Sequence, residues 1–184
     1  MIRVVQIDTS KDDVLKRLME FYLHDLAEWF KFDQTPEGDY TYETEALWQN
    51  GVDVHLLYAE DIPVGFGLVA SGEPWTGDPD SHDLKEFFVI RRHRGSGMGR
   101  FLAEALWRKY PGPWVVRVMM ENKPALPFWR RVIAEFAHEN YQEQERVVGD
   151  KAWSYFSFSS PAEREQASEG EHVTHSGAGA HAVG

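Results

Sequence analysis

Residues 84–100 read LKEFFVIRRHRGSGMGR and join two kinds of pattern. The first seven residues are mostly apolar and predict a buried strand. Glycines follow at positions 95, 97 and 99, and apolar residues at helical spacing then predict a helix from Gly99 onward. A glycine loop that opens a helix presents several backbone N–H groups together, which is the donor arrangement that a phosphate group needs.

The flanking sequence extends this segment into a single α/β domain. An apolar run at 114–120 follows the predicted helix and completes a strand–helix–strand unit. Upstream, the patterns predict a strand at 2–7, a long helix ending towards Phe30 and a short helix near 44–48. A hairpin at 54–59 and 64–70 and a loop at 71–83 follow. Downstream, a helix starting near Pro124 and strands at 142–148 and 152–158 complete a mixed sheet of six to seven strands with about four helices.

Composition limits the domain count and the classes of partner. The hydrophobic content of 42% in 184 residues can fill one core, so we expect a domain over residues 1–160. Residues 161–184 have almost no large apolar side chains and predict a disordered tail. A net charge of -11 argues against nucleic acid, and no apolar run is long enough to predict a membrane span. There is no cysteine, which fits a cytoplasmic protein.

Two commoner phosphate-binding loops can be compared with the glycine run by spacing. The P-loop requires Gly-Lys-Ser or Gly-Lys-Thr, which is absent here. A dinucleotide fingerprint requires G-x-G-x-x-G, whereas this chain has G-x-G-x-G. Glu121 stands roughly where such a fold places its ribose-binding acid, so this alternative stays open, although the chain offers few βα units for it.

Two motifs resemble those of the GCN5-related N-acetyltransferases (GNAT). Arg94-x-x-Gly97-x-Gly99 matches their Q/R-x-x-G-x-G/A signature, and Asn122-x-x-Ala125-x-x-Phe128-Trp129 is similar to their N-x-x-A-x-x-F-Y segment. The resemblance extends to a bacterial branch of predicted acetyltransferases. It implies a GNAT fold whose sheet splays between the fourth and fifth strands. It also implies an enzyme that moves an acetyl group from acetyl-CoA to a primary amine of a small molecule.

The resemblance also implies roles for individual residues. Glu86 would be the catalytic base or would bind the amine; the alternative is a solvated carboxylate. Asp25 and Glu28 on the first helix would bind the substrate amine, unless they simply form a hydrated helix face. The residues implied for cofactor binding are Phe88, Val89, Arg94, Gly95, Ser96, Gly97, Met98, Gly99, Arg100, Asn122 and Trp129.

One departure from the family pattern concerns the proton donor. Trp129 stands where the family usually has a tyrosine acid, and an indole has no proton to give at neutral pH. Either the thiolate leaves without an acid, or Tyr22, Tyr141 or a water donates the proton. Trp129 would then pack in the core or form a wall of the cofactor channel.

The sequence also allows other functions and partners. A non-catalytic acyl-CoA-binding module and a peptide or protein N-acetyltransferase are the alternatives. His82, Asp83 and His93 show no spacing typical of metal ligands, so we expect no metal. Trp75 either lines the acceptor pocket or anchors its loop. The protein is expected to be a monomer or a homodimer.

Overall fold

The structure is a computed structural model that describes residues 1–31, 33–40, 42 and 44–162. Its strands are β1 Ile2–Ile7, β2 Asp53–Ala59, β3 Ile62–Ser71, β4 His82–Val89, β5 Gly112–Met119, β6 Tyr141–Val148 and β7 Lys151–Ser160. Its α-helices are α1 Asp12–Phe30, α2 Thr44–Gln49, α3 Glu73–Thr76, α4 Met98–Lys109 and α5 Ala125–Phe136. Short 3₁₀ helices cover Thr9–Lys11 and Arg91–His93.

The strands form one mixed sheet that is split in the middle. Their order is β1-β2-β3-β4-β5-β7-β6, and only β4 and β5 pair in parallel. That pairing covers three positions and ends at Leu84 opposite Val116. Beyond it, residues 86–89 pair with β3 alone, and Lys85 forms a bulge opposite Leu68 and Val69. The predicted fold class and the splay between the fourth and fifth strands are confirmed.

Two hydrophobic cores cover the two faces of the sheet. Leu15, Leu18, Met19 and Leu23 recur at helical spacing and pack α1 against β2 and β3. On the other face, α4 and α5 pack against the middle of the sheet. Gly67 permits the close approach of α4, because an added Cβ atom would lie 2.6 Å from Leu106 Cδ1. The split in the sheet is therefore supported by a helical layer on each side.

Several predictions changed in detail. The predicted loop at 71–83 contains the short helix α3, which brings the α-helices of the described residues to five, and β4 begins at His82. Within the described residues, one parallel pair cannot build the doubly wound sheet of a dinucleotide-binding domain. None of the described helices is long and apolar enough to cross a membrane. The predicted tail at 161–184 lies outside the described residues, apart from its first two positions.

Candidate active site

Backbone N–H groups converge where β4 leads into α4. Gly95 and Gly97 have φ values of 73° and 87°, a left-handed conformation that glycine adopts without steric cost. No atom lies within 4 Å of the position that a Cβ atom would take at either glycine. Among the described residues, no protein acceptor takes a hydrogen bond from the N–H groups of residues 95–100. Together with the positive end of α4, these donors form a cradle that could hold an anion.

The arginine side chains around the cradle are engaged by protein groups. Arg94 donates from Nε to the Val89 carbonyl oxygen at 2.7 Å and from Nη2 to Asp25 at 2.6 Å. Arg91 donates to the other Asp25 oxygen at 2.9 Å. Arg100 is paired with Glu104 and Glu135. The backbone N–H groups of residues 95–100 are engaged by no described protein acceptor and are therefore available to an anion.

The two predicted acceptor-binding acids on α1 have different surroundings. Asp25 lies beside the cradle, where its carboxylate holds Arg91 and Arg94. Glu28 is exposed one turn further on, and no described residue pairs with it. The structure therefore brings Asp25 to the cradle and not to Glu86. Substrate binding by either acid stays a prediction.

Glu86 lies inside the split of the sheet. The bulge at Lys85 turns the Glu86 side chain towards α1, on the same face as Phe88. Tyr22 of α1 donates a hydrogen bond from its hydroxyl to Glu86 Oε2. The Tyr22 ring lies edge-on to Phe66, with centroids 5.5 Å apart, and is tilted against Phe88, with centroids 5.8 Å apart. A helix and a strand thus fix the carboxylate between them.

Burial controls the ionisation of this group. It raises the pKa of Glu86 above its ordinary value, and the Tyr22 hydrogen bond and the Lys85 and Arg117 charges lower that pKa in part. Burial also raises the pKa of Tyr22 well above its ordinary value, and the Glu86 charge raises it further. The pKa of Tyr42 is raised by burial and by the same Glu86 charge. A carboxylate with a raised pKa beside a cleft is typical of a general base.

A buried ion pair joins β4 and β5 next to the split. Arg117 donates from Nε and Nη2 to the two carboxylate oxygens of Asp83, at 3.1 and 2.7 Å. Its guanidinium carbon lies 4.0 Å from the centroid of the Trp75 ring. Trp75 also accepts a hydrogen bond at its carbonyl oxygen from Arg146. Trp75 therefore anchors its segment to the sheet while covering this pair.

Trp129 is a core residue in this structure. Its side chain is 7% exposed and lies edge-on to Phe87 and Phe128, with ring centroids 4.8 and 4.9 Å away. Little of the indole is left for a cofactor to contact. Tyr141 packs in the same core, on the opposite face of the sheet from Glu86. Of the two tyrosines considered as proton donors, only Tyr22 contacts Glu86.

The remaining polar candidates are placed as follows. Asn122 is half-buried in the turn before α5 and accepts a backbone bond from Ala125. Glu121 is exposed and lies 3.9 Å from the Lys151 ammonium. His82 contacts the Pro111 carbonyl oxygen. In the part of the chain that the structure describes, no three His, Asp or Glu side chains are arranged to hold a metal ion.

Sequence reasoning missed two contacts of the site. Tyr22 lies on the apolar face of α1, three and four positions after Met19 and Leu18, and sequence reasoning predicts it as a substitute acid but not as the partner of Glu86. That spacing indicates a side chain directed at the sheet. Asp83 was considered only with neighbouring histidines, and its true partner Arg117 is 34 residues away. No local pattern indicates that pair.

A split sheet with an anion cradle at its mouth and a buried carboxylate inside it places this protein among the acyltransferases. The chain belongs to the GNAT family of acetyltransferases, because the model of the "Acetyltransferase (GNAT) family" matches residues 19–133, more than half of the 184 residues. No curated protein matches the chain.

Solved structures share the fold at low sequence identity. The putative acetyltransferase yncA from Salmonella typhimurium, solved with acetyl-CoA, is 15% identical with a TM-score of 0.58, covering 86% of this chain and 94% of that one. The aminoglycoside acetyltransferase AAC(6')-Ib, solved with coenzyme A, is 13% identical with a TM-score of 0.63, covering 86% and 95%. The ribosomal-protein-S18-alanine N-acetyltransferase from Escherichia coli is 12% identical with a TM-score of 0.59, covering 90% and 98%. These neighbours support the fold, and they differ in the acceptors that their names state.

Proposed function

We propose that this protein transfers the acetyl group of acetyl-CoA to a primary amine of a small molecule, with Glu86 as the base. The observation that carries the proposal is the Glu86 carboxylate, held by Tyr22 inside the split between β4 and β5. The same strand leads directly into the anion cradle. The donor site and the base are therefore parts of one continuous segment, residues 86–100.

The cradle fits the pyrophosphate of acetyl-CoA. Its six N–H groups at residues 95–100 are free of described protein acceptors, and Gly95 and Gly97 leave the space in front of them open. The unpaired β5-facing edge of residues 86–89 would hold the extended pantetheine arm by backbone hydrogen bonds. Asn122 lies at the far side of the split and would contact the same arm.

The chemical step requires an uncharged amine and a place for its proton. When bound, acetyl-CoA supplies a thioester, whose C–S bond breaks as the new C–N bond forms. Glu86 accepts the proton that the amine loses, directly or through one water. Tyr22 keeps the carboxylate oriented by its hydrogen bond, and Glu86 releases the proton to water after the CoA thiolate has left. No acid is required at Trp129, because a thiol with a pKa of about 8.5 is a tolerable leaving group.

Calorimetric titration with acetyl-CoA tests the cradle. In Gly97→Glu, a carboxylate would occupy the space of the pyrophosphate, and we expect acetyl-CoA affinity to fall roughly tenfold or more by charge repulsion. Gly149→Glu is the matched control, since Gly149 also has a positive φ of 65° and open space around it, in the β6–β7 turn. It should bind as wild type does. Equal losses in both variants would contradict the cradle assignment.

A screen of primary amines by thiol release tests the base. Glu86→Gln keeps the size of the side chain and an acceptor for Tyr22, so acetyl-CoA binding should persist. The rate constant kcat should fall by roughly 10²–10⁴, the usual contribution of a general base. Wild-type protein that binds acetyl-CoA and acetylates no amine would instead be the non-catalytic module. The cytoplasmic location and the monomeric or homodimeric state stay predictions.

A further inference from the structure

Arg117 has a donor that the protein does not use. Asp83 takes the hydrogen bonds of Nε and Nη2, and no described residue accepts one from Nη1. The buried side-chain polar atoms without a partner, within the described residues, are His55 Nδ1 and Trp107 Nε1. Nη1 is not among them, so it is reachable from solvent. The Arg117 side chain, which is 15% exposed, thus presents one nitrogen without a described hydrogen-bond partner.

Arg117 stands at the same split of the sheet as Glu86. Arg117 is the first residue of β5 beyond its pairing with β4, which ends at Val116. On β4, Asp83 and Glu86 lie on the same face. The Arg117 charge lowers the pKa values of Glu86 and of Tyr22. An amine bound at Glu86 would therefore have Arg117 as a close neighbour.

The position of Arg117 is fixed before any acceptor arrives. Two hydrogen bonds to Asp83 and the Trp75 ring at 4.0 Å hold the guanidinium in one orientation. Asp83 itself is only 3% exposed. A preorganised donor loses little entropy when a ligand accepts its hydrogen bond, so it can discriminate between ligands that have or lack an acceptor.

We propose that Arg117 Nη1 donates a hydrogen bond to a neutral carbonyl oxygen of the acceptor, which makes the acceptor a primary amine with an amide group near its nitrogen. The proposal rests on the proposed function and names the substrate class of that site. An acceptor without such an oxygen would leave a desolvated donor unpaired, which costs binding free energy.

The local charges favour an amide over a carboxylate. Asp83 neutralises Arg117, and ionised Glu86 leaves the three groups with one net negative charge. A carboxylate on the acceptor would be repelled by Glu86 and Asp83, whereas a neutral carbonyl would not. The ammonium form of the acceptor would be attracted to the site.

Paired acceptors of equal length test the proposal. Glycinamide, β-alaninamide and 4-aminobutanamide are each compared with the alkylamine of the same chain length and with the corresponding amino acid. We expect kcat/KM for at least one amide to exceed that of its alkylamine by roughly tenfold, the effect of one hydrogen bond to a charged donor. The corresponding amino acid should be a poorer acceptor than the amide.

Variants assign the preference to Arg117. Arg117→Lys keeps a charge beside Asp83 but removes Nη1, so the ratio of amide to alkylamine should fall roughly tenfold from that of wild type. Arg3→Lys is the matched control, because Arg3 also pairs with an aspartate, Asp61, and lies over an aromatic ring, that of Tyr58 at 4.3 Å, but stands on the edge strand β1. Its ratio should remain that of wild type.

Three results would overturn the proposal. They are an equal ratio in wild type and Arg117→Lys, a preference for the amino acid, and no turnover of any amide by protein that binds acetyl-CoA and acetylates other amines. Loss of acetyl-CoA binding, or no acetylation of any amine, would count instead against the proposed function.

Discussion

Glu86 is subject to two opposing influences at the scale of a single residue. Burial favours its neutral form and raises its pKa, whereas the Tyr22 hydroxyl and nearby cations favour the carboxylate. A base with a raised pKa holds a proton more strongly than an exposed carboxylate does. The Tyr22 bond offsets part of the rise in the Glu86 pKa that burial causes.

The first prediction follows from this balance. In Tyr22→Phe the hydrogen bond that lowers the Glu86 pKa is lost, so that pKa should rise further. The acidic limb of the pH profile of kcat/KM should therefore move to higher pH. Tyr141→Phe is the control, because Tyr141 lies on the other face of the sheet. An unchanged acidic limb in Tyr22→Phe would show that Tyr22 does not tune the base.

The second prediction concerns stability. The folded-state pKa of Glu86 is raised above its ordinary value of 4.5, so its ionisation costs stability as pH rises through that window. Glu86→Gln should have a larger free energy of unfolding than wild type at pH 7. This gain in stability over wild type should vanish below about pH 4, where Glu86 is protonated in both the folded and the unfolded state. Urea unfolding at several pH values measures the difference in free energy of unfolding between the variant and wild type. Glu28→Gln, at an exposed position, is the control. A Glu86→Gln variant that is less stable than wild type at pH 7 would contradict the prediction.

The residues of the site differ in how far sequence could predict them. Glu86 follows from a strand pattern and a family resemblance, both of which are local. The Tyr22 contact joins residues 64 positions apart and depends on how α1 lies over β4. Trp129 occupies the expected motif position, yet its burial against Phe87 depends on the angle between α5 and the sheet. The motif positions of Glu86 and Trp129 therefore did not predict that Tyr22 contacts Glu86, and they left the packing of the Trp129 indole undecided.

At the scale of elements, the split between β4 and β5 needs support from side chains. Parallel pairing covers only three positions, so few backbone hydrogen bonds hold these two strands together. The Asp83–Arg117 pair connects the strands at that point. The cradle was predictable because its residues are consecutive, whereas this pair spans 34 positions and has no local signal.

The third prediction tests that connection. Arg117→Met should lower the free energy of unfolding by about 3–5 kcal/mol, because it leaves the Asp83 charge buried without a partner. Adding Asp83→Asn removes that charge and should recover a large part of the loss. Arg108→Met is the control; its pair with Glu104 is on the surface and should contribute less than about 1 kcal/mol. A double variant no more stable than Arg117→Met would contradict a dominant role for the buried charge.

At the scale of the whole molecule, α1 connects every part of the site. Asp25 contacts the cradle arginines, Tyr22 contacts Glu86, and the Trp29 carbonyl oxygen accepts a hydrogen bond from Lys151 of β7. The helix therefore bridges the two halves of the split sheet.

The fourth prediction is made for the intact protein. A ligand that binds only the folded state at a hundred times its Kd adds about 2.7 kcal/mol to the free energy of unfolding. For a chain of this length acetyl-CoA should therefore raise Tm by about 5 °C or more, which thermal unfolding can measure. Coenzyme A, which carries the same pyrophosphate, should also raise it, whereas NAD should not, because the sheet lacks a dinucleotide-binding topology. No shift with either CoA species would contradict the cradle, and a shift with NAD alone would show that the glycine loop serves a dinucleotide.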